Sequence, residues 1–361
     1  MAKNERIPLL DGYRFMAAMA VCGHHYYSNP TAHLRNNMEF GQIFNFPMLD
    51  LIFRYGNLGV DLFFMISGFV IALSAEGRSF AAFASSRITR IVPTYWLAIA
   101  VTTSFLLIEG SAYREITLRQ LFANLVLLQR PFGENFIDGV YWTIVIELRF
   151  YFLVALLIAF NFYRHYAWLL LAWVLLCLVD YWGANIGPFR QVFITSYGFY
   201  FAAGSAFYFL YRRKHLKLAM LTIALSLVIA LPKTVNAFTA NYGEEVIVPT
   251  MVLLLGCYAL MAVITMRRFD DISWRWLPLA GALTYPFYLL HQDIGFILMR
   301  RITITSNGFV LTLITIALVL LMSWGVHRYF ERAVCPPLRR WIEQSLTRWT
   351  LAISAFQRQK S

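Results

Sequence analysis

Long apolar runs separated by short polar segments dominate the hydrophobic pattern of this chain. A helix needs about 20 apolar residues to cross the hydrocarbon core of a bilayer. Ten runs come close to that length, at residues 9–28, 57–75, 92–109, 141–160, 166–184, 191–211, 217–233, 246–265, 277–298 and 308–327. The pattern predicts an all-α, polytopic integral membrane helix bundle with about ten transmembrane helices.

The basic residues give these runs an orientation. Ten spans place both termini on one side of the membrane. If that side is the cytoplasm, the cytoplasmic segments hold 21 of the 31 Lys and Arg residues, the opposite side holds nine, and Arg149 lies inside a span. Because short cytoplasmic loops of membrane proteins carry an excess of Lys and Arg, we predict that both termini are cytoplasmic.

Composition supports a membrane protein and excludes several other classes. Hydrophobic residues make up 59% of the chain and charged residues 14%, whereas a soluble domain has about a quarter charged residues. The net charge of +12 is dispersed over short loops, which indicates topology and attraction to anionic lipid rather than nucleic-acid binding. The four cysteines (Cys22, Cys177, Cys257 and Cys335) have neither metal-ligand nor disulfide spacing. We therefore expect no metal site.

The pattern predicts one transmembrane domain over residues 1–335 and a basic amphipathic cytoplasmic tail over residues 336–361. Apolar residues of the tail recur at approximately helical spacing, which is typical of a helix that lies on a membrane surface. These residues are Leu338, Trp341, Ile342 and Leu346.

Arg14 and His25 are ionisable residues inside the first apolar run. Their eleven-residue separation equals about three helical turns, so they share one helix face about 16 Å apart. Ionisable groups at such depth usually line a polar cavity, a pathway or a reaction site. The alternative is an arginine that reaches the headgroups and a histidine bonded to a neighbouring helix.

Four titratable residues from four runs fall in the outer half of the predicted bundle: His25, Asp61, Glu147 and His291. One shared polar cavity would account for them, with the carboxylates orienting or charging the histidines. Separate interhelical hydrogen bonds are the alternative.

Arg87 and Arg90 follow the second run and are three residues apart. On a helix they project side by side, and paired guanidinium groups suit a polyphosphate ligand. Spacing alone favours the simpler interpretation that this is a basic cytoplasmic loop.

Five ordered blocks between residues 8 and 340 together resemble the membrane acyltransferase-3 family. The blocks are LLDGYRFMAAMAVCGHHYY with Arg14 and His25, GNLGVDLFFMISGFVIA with Asp61, RITRIVPTYW with Arg87 and Arg90, YWTIVIELRFYF with Trp142 and Glu147, and LTYPFYLLHQ with Tyr285, Tyr288 and His291. Threonine replaces the usual serine of the family in the last two blocks.

The resemblance implies transfer of an acyl group, most often acetyl, from cytoplasmic acyl-CoA to a hydroxyl of a surface carbohydrate or lipid-linked glycan. It implies that Arg87 and Arg90 hold the phosphates of acetyl-CoA, the co-substrate. It also places Arg14 on the donor's route and makes His25 the catalytic imidazole. The setting implied is a bacterial inner membrane, in a stand-alone form without an appended extracytoplasmic domain.

Direct transfer is our mechanistic hypothesis. His25 takes the acceptor proton as general base, and Glu147 orients His25 or offsets its charge. Asp61 and His291 shape the acceptor end, together with Tyr285 and Trp142. A covalent acyl-histidine intermediate is the mechanistic alternative. A proton-coupled transporter and a non-catalytic scaffold are the alternative functions, and the sequence leaves acceptor and oligomeric state open.

Overall fold

The computed structural model describes residues 7–28, 46–110, 115–184, 186–267, 274–302 and 307–358. These residues form helices, turns and loops, and no strand occurs among them. Part of the predicted outer stretch, residues 29–45, lies outside the described residues, as do six basic residues of the charge count: Lys3, Arg6, Arg35, Arg114, Arg268 and Lys360. The all-α prediction is confirmed.

Sixteen α-helices follow one another along the described parts of the chain. They are α1 (Pro8–Gly23), α2 (Pro47–Phe53), α3 (Leu58–Ala75), α4 (Phe80–Glu109), α5 (Leu118–Leu125), α6 (Gln129–Phe132), α7 (Tyr141–Ala159), α8 (Tyr166–Tyr181), α9 (Phe189–Val192), α10 (Gly198–Tyr211), α11 (Leu216–Tyr242), α12 (Ile247–Thr265), α13 (Leu277–Leu290), α14 (Asp293–Arg301), α15 (Gly308–Gly325) and α16 (Arg332–Arg358). Two π-helical turns extend them, His24–Ser28 after α1 and Val326–Glu331 after α15.

Each of the ten predicted runs overlaps a helix. In the described part of the chain, seven helical stretches are long and apolar enough to cross a membrane. The other three runs contain shorter helices, because α1 has 16 residues and α10 and α13 have 14 each. The structure is that of a polytopic helical membrane protein, while the count of ten and the cytoplasmic termini stay predictions. We call the face near Arg87 inner and the face near His25 outer, following the predicted orientation.

Close packing of α3 on α10 holds the centre of the bundle together. Gly68 and Gly204 lie at this contact, where a Cβ atom on Gly204 would overlap the carbonyl oxygen of Met65. Small residues allow membrane helices to approach each other closely, and dispersion forces then stabilise the pair.

Irregular backbone is concentrated near the predicted site residues. The run at 277–298 is not one helix, because α13 ends at Leu290 and α14 begins at Asp293. His25 lies in the π-helical turn after α1, and such turns are frequent at functional sites. The predicted tail begins inside α16, which continues from α15 through the second π-helical turn and packs against α4.

Candidate active site

His25 and His291 form a direct pair, although 266 residues separate them in sequence. The Nδ1 atom of His25 lies 2.9 Å from the Nε2 atom of His291. The rings are stacked, with centroids 5.1 Å apart and an angle of 18° between their planes. His291 is fully buried and His25 partly exposed, so the imidazole of His25 is the more accessible of the two.

Hydrogen bonding fixes the tautomers of this pair. The Nδ1 atom of His291 lies 2.8 Å from the carbonyl oxygen of Tyr288, which can only accept, so Nδ1 of His291 carries a hydrogen. In its neutral form, His291 therefore accepts at Nε2 a hydrogen bond donated by Nδ1–H of His25. The Nε2 atom of neutral His25 keeps its lone pair and can take a proton from another molecule.

The break between α13 and α14 places His291. The hydroxyl of Tyr26 donates to the carbonyl oxygen of His291 at 2.5 Å. The fully buried carboxylate of Asp138 accepts from the backbone N–H of Asp293 at 3.0 Å and from that of Val140 at 3.1 Å. Asp138 thus satisfies a free N–H at the start of α14, directly after the histidine. The sequence analysis did not identify Asp138.

Glu147 has other partners than the histidines. Its Oε1 atom accepts hydrogen bonds from Ser67 Oγ at 2.7 Å and from the hydroxyl of Tyr151 at 2.5 Å. Among the described residues, the hydrogen bond of the His25 ring goes to His291. The prediction that Glu147 orients His25 is therefore corrected, and the orienting contact belongs to His291.

Glu147 lies in a cavity of about 80 Å³ in the middle of the bundle, which we call the inner cavity because helices surround it. Its other charged or hydroxyl-bearing lining residues are Arg14, Ser67, Arg90, Thr143, Tyr151, Thr284, Tyr285 and Tyr288. The hydroxyl of Tyr285 donates to the carbonyl oxygen of Ile91 at 3.0 Å. Tyr288 borders both the cavity and the histidine pair, because its ring centroid lies 5.6 Å from that of His291.

A wider cavity of about 570 Å³ lies at the inner end of the first. Arg14 and Arg90 line both cavities, so the two meet at a pair of guanidinium groups. Four other lining side chains can be charged: Asp11, Arg275, His327 and Arg332. The Nδ1 atom of His327 lies 2.8 Å from Oε2 of Glu331. We call this wider cavity the basic vestibule.

Arg87 adds a third guanidinium beside the vestibule. It lies on α4, one turn before Arg90, and its guanidinium carbon is 5.9 Å from the ring centroid of Tyr151. Its Nε atom donates to Ser86 Oγ at 3.1 Å. The charges of Arg14 and Arg90 both act on it. The structure therefore brings together the three arginines that the family resemblance assigns to the donor.

Asp61 lies apart from this site. Its carboxylate is hydrogen-bonded by Tyr200 of α10 and lies within the field of Lys233 of α11. The hydroxyl of Tyr200 is also 2.7 Å from Thr234 Oγ1. The prediction of one cavity shared by His25, Asp61, Glu147 and His291 is thus corrected: the histidines form one pair, Glu147 lies in the cavity, and Asp61 belongs to another cluster.

Trp142 supports the wall of the cavity from behind. Its ring packs at 6.1 Å from that of Phe64 and at 5.1 Å from that of Tyr197, measured between centroids. Phe64 lines the cavity, and Trp142 is not among the lining residues.

Comparison with known proteins relates this geometry to a chemistry. The model of the acyltransferase domain of the acyltransferase-3 family matches residues 7–328. The exopolysaccharide production protein ExoZ of Rhizobium meliloti (strain 1021) is 35% identical over 107 residues, which are 27% of this chain and 33% of ExoZ. The match thus spans about a third of the length of this relative. No solved structure matches the chain.

Proposed function

The chain belongs to the membrane acyltransferase-3 family, and we propose that it moves an acyl group, acetyl in the simplest case, from cytoplasmic acyl-CoA to a carbohydrate hydroxyl. ExoZ is named as an exopolysaccharide production protein, and this name supports a surface polysaccharide, or its lipid-linked precursor, as the acceptor. We propose a bacterial inner membrane as the setting.

The contact between His25 and His291, which leaves Nε2 of neutral His25 with a lone pair, is the observation that carries the proposal. An acyl transfer to a hydroxyl needs a base for the hydroxyl proton, and a positioned base contributes typically 10²–10⁴-fold. The contact with His291 holds the ring of His25 and keeps the hydrogen on its Nδ1 atom. His25 is also the more exposed member of the pair, so an acceptor hydroxyl can reach it.

The basic vestibule supports a donor that carries phosphates. Arg14, Arg87 and Arg90 surround its junction with the inner cavity, and guanidinium groups bind phosphate oxygens in bidentate geometry. The nucleotide end of acyl-CoA would occupy the vestibule, and the thioester would enter the smaller cavity towards Glu147. Tyr285 would contact the pantetheine chain, since it lines that cavity.

Passage of the thioester to His25 requires a side-chain movement. The inner cavity of about 80 Å³ holds only a few water molecules, and Tyr288 separates it from the histidine pair. The ring of Tyr288 packs edge-on against that of Phe63 at 5.5 Å between centroids. We expect donor binding to displace these two rings by side-chain rotation, without movement of the helix backbone.

The reaction then proceeds at His25. Nε2 of His25 removes the acceptor proton while the hydroxyl oxygen attacks the thioester carbon. The carbon–sulfur bond breaks, CoA leaves as thiolate, and the proton on Nε2 is returned to that sulfur. In the alternative mechanism, the acyl group is transferred first to His25, as a covalent intermediate, and then to the acceptor. In this proposal, Asp61 holds α3 against α10 and α11, and Trp142 supports the cavity wall.

The experiment uses the purified chain in nanodiscs with labelled acetyl-CoA and a glycan extract. We expect release of free CoA that depends on the extract, and label in a carbohydrate that gains the mass of one acyl group. The His25→Ala variant should insert and bind CoA but release none. Acceptor-dependent release by His25→Ala at the wild-type rate would refute the role of His25, and absence of release by the wild type with every extract and acyl-CoA would refute the function.

A further inference from the structure

Arg149 is a charged residue of a membrane-spanning helix that the acyl-transfer site does not use. It follows Glu147 by two residues on α7 and therefore projects away from the inner cavity. Its Nη1 atom donates a hydrogen bond of 3.4 Å to the backbone carbonyl of Gln191, in the segment after α8. A guanidinium inside a membrane protein is costly unless an anion offsets its charge.

No carboxylate offsets Arg149 among the described residues. The charge that acts on it is that of Arg130, which is exposed and has no ion-pair partner in the described part of the chain. Asp180 lies beside the same segment, but its carboxylate accepts from Arg190 Nη2 at 2.8 Å and from Thr195 Oγ1 at 2.6 Å. Arg130 and Arg149 therefore lie within each other's field, and neither has an ion-pair partner among the described residues.

Arg149 lies near the middle of α7, and its guanidinium is bonded to the segment that follows the outer end of α8. Its partner Gln191 is one residue from Arg190, whose ion pair with Asp180 is at the outer end of α8. The exposed indole of Trp182 follows α8 directly. Tryptophan and charged residues are typical of the interface, where lipid phosphates lie.

An apolar groove of about 400 Å³ runs inward from this level between α7 and α8. Leu153 follows Arg149 by four residues, so the groove begins one turn below the guanidinium on the same face of α7. The α7 part of the groove, from Phe150 to Leu157, is about 10 Å long. Its other walls include Leu169, Trp173 and Leu176 of α8, and Phe193.

We propose that Arg130, Arg149 and this groove form a binding site for an anionic phospholipid of the outer leaflet. The lipid phosphate lies between the two guanidinium groups, and one acyl chain occupies the groove. The chemistry matches at both ends, because the groove of uncharged side chains begins one turn from Arg149, and Arg130 adds a second positive charge near it. The site is separate from acyl transfer, since α7 stands between the groove and the inner cavity, so it does not depend on the proposed function.

The test is native mass spectrometry of the protein released from nanodiscs with equal amounts of phosphatidylglycerol and phosphatidylcholine. We expect wild type to retain phosphatidylglycerol in preference. Arg149→Gln should lower that preference about five-fold, and the double variant with Arg130→Gln about 25-fold, since each basic residue near anionic lipid contributes a similar free energy. Arg164→Gln is the matched control, because Arg164 is an exposed arginine at the inner end of the same helix pair, and it should behave as wild type.

A second variant tests the groove independently of charge. Leu156→Trp fills the groove and should reduce retention of both phospholipids while the protein still elutes as a single folded species. Equal retention of the two lipids by wild type, or an unchanged preference in the double arginine variant, would overturn the proposal. If an equal amount of a polyisoprenyl phosphate displaced phosphatidylglycerol from the protein, the proposal would also be overturned, because the site would then bind a carrier of the acceptor.

Discussion

His291 presents its Nε2 atom to Nδ1 of His25 at 2.9 Å, and its own Nδ1 hydrogen is held by the carbonyl oxygen of Tyr288. In the proposed mechanism, this relationship makes His291 the positioning residue of the pair and His25 the catalytic residue. A buried histidine is used here as a hydrogen-bond acceptor, a role that carboxylates more often fill.

Replacement of His291 should lower kcat with little effect on the Michaelis constant for the donor. In His291→Leu, the Nδ1 hydrogen of His25 loses its acceptor and the ring is free to rotate, so we expect a fall in kcat of about 10²-fold or more. His291→Gln provides an amide oxygen that can accept from Nδ1–H of His25, and it should recover part of the loss. Steady-state kinetics with varied acetyl-CoA measure both constants. Equal activity losses in the two variants, or a changed donor constant alone, would contradict the positioning role.

Local spacing in the sequence predicted that Arg87 and Arg90 lie side by side, while their role in donor binding stays a prediction. Arg87 and Arg90 are three residues apart in a continuous helix, so helical geometry alone places them side by side. The pair Glu147 and Tyr151 has the i, i+4 spacing of direct neighbours and could have been found in the same way.

Depth in the membrane was not sufficient to predict which residues meet. The residues of α3 that line the inner cavity are Val60, Phe63, Phe64 and Ser67, which share one helix face. Asp61 lies at a similar depth, but it is turned by about 100° from Val60 and so faces α10 and α11. A depth estimate contains no information on rotation about the helix axis.

The histidine pair and its support depend on contacts between distant parts of the chain. Asp138 contacts the backbone of Asp293 across 155 residues, and His25 contacts His291 across 266. The run at 277–298 is apolar enough on average to suggest one helix, despite the polar residues at 291–293, and the break that places His291 is stabilised by a loop before α7. No local pattern in a single sequence specifies such a contact.

Replacement of Glu147 should affect the donor rather than the base. Its carboxylate lies in the field of Arg14 and accepts from Ser67 and Tyr151, so Glu147→Gln removes a negative charge from the cavity and keeps its shape. We expect the Michaelis constant for acetyl-CoA to change several-fold, while the pH at which kcat is half-maximal stays that of wild type. A pH–rate profile of kcat measures this. A shifted profile in Glu147→Gln would restore the role that the sequence assigned to this residue at His25.

The three arginines at the vestibule should contribute to donor affinity. A hydrogen bond to a charged group contributes about 1.5–3 kcal/mol, so Arg90→Gln should raise the Michaelis constant for acetyl-CoA about 10- to 100-fold with a smaller change in kcat. Arg87→Lys keeps the charge but loses the planar fork, and it should raise the constant less. Arg328→Gln, at an arginine outside the lining residues of both cavities, is the control. An unchanged donor constant in Arg87→Gln/Arg90→Gln would remove the phosphate-binding role.

Asp138 should act on catalysis through the helix break. Asp138→Ala leaves the N–H groups of Asp293 and Val140 without their acceptor, which costs about 1–3 kcal/mol of stability per buried group. It also frees the start of α14, so His291 loses its fixed position and kcat should fall. Asp138→Asn keeps one carbonyl oxygen and should retain more of both. Thermal unfolding in detergent measures stability, and kinetics below the unfolding temperature measure kcat. Asp138→Ala could instead lower the unfolding temperature while kcat and its pH profile equal those of wild type. That result would mean that Asp138 stabilises only the fold, and that Tyr26 and Tyr288 position His291 without it.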